Sequence, residues 1–457
     1  MADLFLCCAS SGRTKRLDSR QRTQRAVWFS LFATSMGLMA FLPELTFYVG
    51  QRFKITDPDE LTFWGGMIYG AAPFSAALAG PIWGALGDRR GRRPMAIRAN
   101  LAIAAITLLM PFAASPGWLL FLRALMGVLA GYVAPAIAMV SSHAAPERHG
   151  RTIAWLQVAM AMGSFAGPLL GWLVALGVTN ALPADFAPWW GRASCFWITT
   201  VLSLIGAFLL WRYATEEQRP PRAQQVPFVR ELLLGIRQLL GNRVFAWLLV
   251  LVLMLRLGQN MLEPFVALFV RELGPIEALN WLIKGDEQIL SLTASLAFSV
   301  LAVAQWVCTP LWGRLSDRFG PLRCLAFVGL LLGLLQIGTA SVQGIYSFMS
   351  LRILAACVMA GSMTLSYAAA SKRVDEGRRT LAFAMVQSCM QLGFGCGGML
   401  GSAISRIGAT ALHPNLRLPF VVAGLLCITA GMSMFALRRR SLSTARAAPL
   451  PETIDLS

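Results

Sequence analysis

"PIWGALGDRRGRRP" (Pro81–Pro94) ends an apolar run and turns at once into Asp88 and a cluster of arginines. "PLWGRLSDRFGPLR" (Pro310–Arg323) writes almost the same phrase at an offset of 229 (310 less 81). Each copy sits where a long apolar stretch stops. A chain that repeats a Gly-Asp-Arg punctuation mark at the ends of two greasy segments is built from two similar halves.

Composition identifies the solvent around those halves. The chain has 457 residues, of which 56% are hydrophobic and only 14% charged, with a mean hydropathy of +0.60. A soluble domain carries about 25% charged residues. Apolar runs long enough to cross about 30 Å of hydrocarbon fall near 26–48, 63–86, 95–113, 118–140, 152–176, 193–213, 244–270, 289–312, 322–342, 345–370, 380–404 and 418–437. Hydrocarbon offers no hydrogen-bond partner, so each run must satisfy its own backbone as a helix. The fold class expected is an all-α membrane protein of twelve spans.

Outward from the opening phrase, the pairing persists. Gly37 and Pro43 in span 1 match Gly258 and Pro264 in span 7, at an offset of 221 (258 less 37). Trp83-Gly84 matches Trp312-Gly313, Asp88-Arg89 matches Asp317-Arg318, and Arg123 in span 4 matches Arg352 in span 10. Gly163, Gly167 and Gly171 in span 5 match Gly393, Gly397 and Gly401 in span 11. The expected organisation is a tail (1–25), a six-helix bundle (26–213), a linker (214–243), a second six-helix bundle (244–437) and a second tail (438–457). Within the linker, "FVRELLLGIRQLL" (Phe228–Leu240) alternates apolar and charged faces at helical spacing and reads as an interfacial helix. Parallel repeats of this kind are an architecture of transport, with a site near the bilayer midplane.

The net charge of +18 raises the question of nucleic acid. Most of the 40 Lys and Arg residues lie in the two tails, the linker and the alternate loops that share one side with them. That asymmetry is the positive-inside pattern, which places both termini in the cytoplasm and the basic loops against anionic headgroups. The N-terminal tail lacks a cleavable-signal pattern. The nine cysteines show no metal-ligand spacing, and the three histidines (His143, His149, His413) join no nucleophile or metal constellation. No enzyme, cofactor or metal is expected.

Several residues are out of place in lipid unless they have work to do. Arg123 and Arg256 lie inside apolar runs, where an arginine costs about 2.5–3.5 kcal/mol. Glu44 follows Pro43, and Glu263 precedes Pro264, at nearly matching places in the halves. Arg256, Gln259 and Asn260 make span 7 unusually polar. Gly163, Gly167 and Gly171 form one helical stripe suited to close packing, and Pro168 beside it favours a bend. Helical facing turns Met36, Gly37, Met39, Phe41, Gln157, Gln259, Asn260 and Gln387 toward a central chamber.

The doubled loop resembles the major facilitator signature G-x-L-x-D-R-x-G-R-R/K, here Gly84, Leu86, Asp88, Arg89, Gly91, Arg92 and Arg93. The second copy keeps Gly313, Leu315, Asp317, Arg318 and Gly320 and has Pro321 next. "LFLRALMGVLAGYVAPA" (Leu120–Ala136) is similar to the family's fourth helix, and "GSFAGPLLG" (Gly163–Gly171) to the antiporter motif of its fifth, with Trp172 in the last glycine position. The chain resembles the drug:proton antiporter branch of the major facilitator superfamily, its MdtG-type multidrug exporters above all. Thr46 stands where the branch's first helix often has a second proline.

The resemblance implies two parallel six-helix repeats rocking about a central site, with the loop motifs as a conformational gate. It implies proton coupling through Arg123, to which we add Glu44, Glu263 and Arg256 as candidates. The expected activity is proton-coupled efflux of lipophilic small molecules or drugs, cations among them, by alternating access in a monomer of the bacterial inner membrane. Its partners would be substrate, protons and the bilayer, with no nucleic acid. Export of one metabolite such as a siderophore or sugar is the nearest alternative, then facilitator-type import. A non-transporting receptor stands further off, for want of a sensory domain.

Overall fold

The computed structural model describes residues 19–131, 136, 139, 149–183, 189–215, 228–279, 286–374, 379–407 and 415–446. Among these residues the first half comprises α1 (Ser19–Ala40), α2 (Leu42–Phe53), α3 (Pro58–Arg90), α4 (Arg92–Leu109), α5 (Pro116–Ala130), α6 (His149–Ala181) and α7 (Trp189–Tyr213). After α8 (Phe228–Gly241), the second half comprises α9 (Arg243–Asn260), α10 (Val266–Leu273), α11 (Asp286–Phe319), α12 (Pro321–Ala340), α13 (Ile345–Met359), α14 (Gly361–Ser371), α15 (Arg379–Ser405) and α16 (Leu418–Arg446). Spans 1, 7 and 10 are each broken into two helices. Pro43 and Pro264 mark the first two breaks, at Phe41 and around Glu263–Phe265, because a proline removes a backbone donor and clashes with the preceding turn.

Helix starts follow local chemistry. The Asp57 carboxylate accepts from Asp59 N at 3.0 Å, with Pro58 opening α3. Ser115 accepts from Trp118 N at 3.2 Å, with Pro116 opening α5. Asn242 accepts from Val244 N and Phe245 N at the start of α9. These are N-caps followed, in the first two cases, by the residue that needs no donor. Nine described helical segments are long and apolar enough to cross a membrane. Glycine-rich α3 and α15, and α5 with its 15 described residues, complete the twelve spans. The chain is a multi-pass membrane protein.

The two halves repeat in their turns, in several buried hydrogen bonds and in their glycine seams. Gly91 (φ 101°) and Gly320 (φ 85°) make the same sharp turn between consecutive spans, a backbone that L-residues with a Cβ rarely adopt. Trp83 Nε1 donates to Val128 O, and Trp312 Nε1 to Cys357 O. The Arg123 Nε donates to Ile68 O at 3.1 Å, and Arg352 Nε to Ala297 O at 2.9 Å. The glycine stripes are equivalent too. A Cβ added to Gly167 or Gly171 would fall within 3.0 Å of Met36 O or Ala40 O of α1. One added to Gly397 or Gly401 would do the same at Leu257 O and Met261 O. Spans 5 and 1, and spans 11 and 7, thus meet backbone to backbone.

The halves join through two helix pairs, α3 with α15 and α6 with α11. Their contacts cluster toward the face opposite the chain ends, here called the distal face. Gly66 abuts Ser402 and the Gly398 carbonyl, and Gly70 abuts Gly395. Tyr69 stacks on Phe394 with centroids 5.6 Å apart. Ser299 Oγ donates to Phe165 O at 2.9 Å, and Trp172 Nε1 to Gln288 O at 3.1 Å. Toward the terminal face, where α1 begins and α16 ends, the same helices diverge. Gly80 and Gly313 face open space, and Leu78, Ile82, Val307 and Leu311 are each more than half exposed. The cleft between the halves is closed distally and opens to the terminal face.

Gly171→Ala must move the α1 backbone and should destabilise the protein by about 1–3 kcal/mol. Gly177→Ala, which meets nothing within 4 Å, should be neutral or gain up to ~1 kcal/mol of helix propensity. Thermal unfolding of the two variants in detergent separates the cases.

Candidate functional site

Glu44 lies in the first turn of α2 and is only 1% exposed. Its two carboxylate oxygens look in different directions. Oε2 pairs with the Arg192 guanidinium from the first turn of α7, within its own half. Oε1 accepts from the Ser291 hydroxyl of α11, in the other half. Arg192 is spread further: its Nε donates to Gln51 Oε1 at 3.0 Å, it faces the Phe47 ring, and an η nitrogen lies 3.9 Å from Glu287. An ionised carboxylate accepts only, so Glu44 as a carboxylate satisfies both neighbours. The cluster is a buried latch across the distal closure.

Thr46, one turn-half along, donates to Pro264 O at 3.4 Å, again across the halves. The two positions where this chain leaves the antiporter pattern, Thr46 and Trp172, both supply cross-half hydrogen bonds. Each residue carries a donor that the proline or glycine of the pattern lacks.

Glu263 is a different case. Its Oε2 takes Arg352 at 2.9 Å, within one half, and both side chains are about nine-tenths buried. The equivalent Arg123 has no carboxylate among the described residues. It donates to Ile68 O and Tyr69 O and lies 5.1 Å from the Phe41 ring centroid. The nearly matching carboxylates of the sequence are therefore not equivalent in space. Under the repeat offset Glu44 falls on Phe265 and Glu263 on Leu42, and the two groups hold different arginines.

Arg256, on α9, meets no carboxylate among the described residues. Its Nη1 donates to Gln259 on the same helix at 3.0 Å, and its Nε is buried without an acceptor. The Gln259 Nε2 is also buried without an acceptor. Across from α9, Tyr367 donates to the exposed Gln387 at 2.5 Å. Among the described residues this leaves donors of Arg256 and Gln259 unmatched beside the Arg256 charge.

The remaining candidates separate. Met36, Met39 and Gln157 are half-buried. Gly37 faces α7, where a Cβ would sit 3.0 Å from Thr199 Cα, so it is a packing residue rather than a lining one. Phe41 is 1% exposed and packs on Phe196, beneath Arg123. Asn260 is buried and donates back to Arg256 O at 2.8 Å. Packing density inside the half overrules the helical facing used to choose these three. In the loop motifs, Asp317 and Arg318 are exposed, and Gly91 and Gly320 form the turns. Arg92 is half-buried. The side chains at 84, 88 and 89 (Gly84, Asp88 and Arg89) lie outside those described. Pro168 sits inside continuous α6.

Sequence reasoning missed Arg192, Ser291 and Tyr367. Arg192 had a signal: it is a basic residue at the distal, base-poor end of a span. Ser291 and Tyr367 had none, since their roles depend on which half faces which.

Comparison with known proteins follows this geometry. The model described as the Major Facilitator Superfamily matches residues 27–275 and 275–453. The multidrug resistance protein MdtG of Salmonella typhimurium is 28% identical over 426 residues, covering 93% of this chain and 97% of that protein. A crystal structure of a bacterial homolog of the human lysosomal transporter Spinster, described as inward-facing and occupied, superposes with a TM-score of 0.69. It is 16% identical and covers 95% of this chain and 99% of that one. The nucleoside transporter NupG superposes at 0.67 with 11% identity, covering 93% and 100%. At these identities the structures show the fold.

Removing one partner of the Glu263–Arg352 pair leaves a buried charge uncompensated. Glu263→Leu and Arg352→Met should each destabilise by about 3–5 kcal/mol, and the double variant should lose less than their sum. Unfolding measurements on the three proteins test this; strict additivity would show that the pair carries no coupling.

Proposed function

This chain belongs to the Major Facilitator Superfamily, and from that premise we propose that it exports lipophilic small molecules in exchange for protons. It is a secondary transporter and not an enzyme. The observation that carries the reading is the one-sided cleft: joined distally through α3–α15 and α6–α11, parted toward the terminal face. That is one of the two states that alternating access requires. The positive-inside pattern supports assigning the terminal face to the cytoplasm, which makes this the state that loads cytoplasmic substrate. The naming of MdtG as a multidrug resistance protein supports efflux. The repeat supports two bundles, residues 26–213 and 244–437, moving as bodies within one monomer in a bacterial inner membrane.

Glu44 is the carboxylate we assign to coupling. A proton arriving from the distal side neutralises the group that holds Arg192 and turns one of its acceptor oxygens into a donor. The latch to Ser291 then loses its strongest element, and the distal face is free to open. The ion pair itself lies within the first half, so what bears on the two-state balance is the cross-half hydrogen bond to Ser291, worth about 1.5–3 kcal/mol while its acceptor is charged. In the second half Glu263 stays with Arg352 in a bond that does not cross the halves, and its assigned role is structural. Exposed Asp317 and Arg318 belong to the terminal gate, which is open in this state.

The Arg256 group supports a reading of the substrate's charge. A cation would meet a positive charge and unsatisfied donors, at a cost. A substrate carrying an acidic or acceptor group would pair with them. The cargo favoured is therefore lipophilic with an acceptor end, rather than a lipophilic cation.

Everted vesicles should accumulate an anionic dye when a proton gradient is imposed and release it on adding an uncoupler. Glu44→Gln should abolish the dependence on the gradient while leaving substrate binding within a few-fold. Arg256→Gln should weaken binding of the anionic dye about tenfold or more, by the ~1.5–3 kcal/mol of a charged hydrogen bond, and spare a neutral dye of similar size. Uptake indifferent to the gradient in the parent protein would remove proton coupling, and gradient-driven uptake unchanged in Glu44→Gln would remove Glu44 from it.

A further inference from the structure

At the terminal face, the start of α1 and the end of α7 enclose a recess of about 450 Å³ whose lining, among the described residues, includes Arg22, Arg25 and Arg212 and no acidic residue. All three arginines are exposed, and none has a carboxylate partner among the described residues. Arg22 and Arg25 are three residues apart on one helix, hence on one face. The two helices are stapled beside the recess. Thr215 N donates to Thr23 Oγ1 at 3.0 Å, and the two threonine hydroxyls are 2.9 Å apart. The arginines therefore stand on a fixed frame. One turn deeper, on the membrane side, the wall is apolar: Phe29, one turn past Arg25, is 52% exposed, and Leu209, one turn before Arg212, lines the recess with it.

A neighbouring recess on the other side of α7 provides a contrast. Its Arg93 already donates to Leu210 O and Trp211 O, and its Arg98 lies 3.5 Å from the Trp83 ring centroid. The donors of Arg93 are thus engaged, and the Arg98 guanidinium is buried against the ring, its nitrogens without an acceptor among the described residues. Arg22 and Arg25 are instead exposed, with no acceptor among the described residues, and Arg212 lies near its neighbour Tyr213, at 5.4 Å.

We propose that Arg22, Arg25 and Arg212 seat the phosphate of an anionic glycerophospholipid, whose acyl chain lies along Phe29 and Leu209. Guanidinium groups match phosphate geometry and are weakly hydrated, which suits them to this headgroup. Basic pockets between spanning helices at the cytoplasmic leaflet are the kind of site that selects anionic lipids. The same chemistry would bind free phosphate, but the apolar wall adds a reason to prefer the lipid. The bound lipid would clamp the entry of α1 to the exit of α7, two helices of the half that carries Glu44.

The test uses the full chain, stripped of lipid in detergent and then titrated with phosphatidylglycerol, phosphatidylcholine or inorganic phosphate. Melting temperature and native mass spectrometry are the readouts. Phosphatidylglycerol should bind saturably and raise the melting temperature, and the other two should not. Each basic residue near an anionic surface is worth ~1 kcal/mol, so R22Q/R25Q/R212Q should bind about a hundredfold more weakly. R212Q alone, a milder change, should lose about fivefold. R237Q/R243Q/R314Q, which removes the same charge from exposed positions elsewhere on this face, should bind like the parent. Equal loss in that control set, equal binding of phosphatidylcholine, or an equal effect of inorganic phosphate would overturn the proposal. So would retained phosphatidylglycerol affinity in R212Q and the triple variant.

Discussion

Helices in lipid are not driven together by water, so their contacts must come from close approach and from polar groups that find each other. In this protein the approach is made by glycines. Gly167 and Gly171 lay span 5 on the α1 backbone, and Gly397 and Gly401 lay span 11 on span 7. Everything else is hung on those two seams. They fix the depth of Glu44, set α6 against α11 and α15 against α3, and leave the terminal ends of the same helices free to part. A side chain at one of these glycines would displace the helix that carries the latch.

On this symmetric frame the charges are placed asymmetrically. Arg123 and Arg352 keep the same bond to the preceding span, yet only Arg352 has a carboxylate. The other half has sent its acid elsewhere, to Arg192 and across to Ser291. A carboxylate bonded inside one body is indifferent to the relative motion of two bodies. A carboxylate bonded across them is not. The proposed division between a structural and a switching role rests on where the second partner sits, and the residue type alone does not decide it.

The sequence reading succeeded where the signal was local or repeated. Apolar run length gave the spans, and the doubled Gly-Asp-Arg phrase gave the repeat, seen again in the positive φ of both Gly91 and Gly320; the bend expected at Pro168 is absent from continuous α6, and the breaks lie at Pro43 and Pro264 instead. It failed where a choice depended on the packing of one helix against another. Gly37, Phe41 and Asn260 share the chamber-facing arc of an isolated helix, but Thr199, Phe196 and the α9 backbone claim them first. Arg256 was read for proton coupling, and that it pairs with no acid among the described residues emerged only once the facing helices were in place. Thr46 and Trp172 looked like lapses from a pattern, and proved to be donors that join the two halves.

The breaks in spans 1 and 7 bear on how the molecule turns over. α2 is 12 residues long and α10 only eight, and each is detached by its break from the helix that carries the seam. A shutter can swing without its frame. If the short outer pieces tilt while α1 and α9 stay keyed into their glycine grooves, the distal mouth can be breached by a local movement that precedes the larger rotation. Solvent would then reach the latch carboxylate before the bundles have moved, and ion entry and cargo release would become two separate events in time.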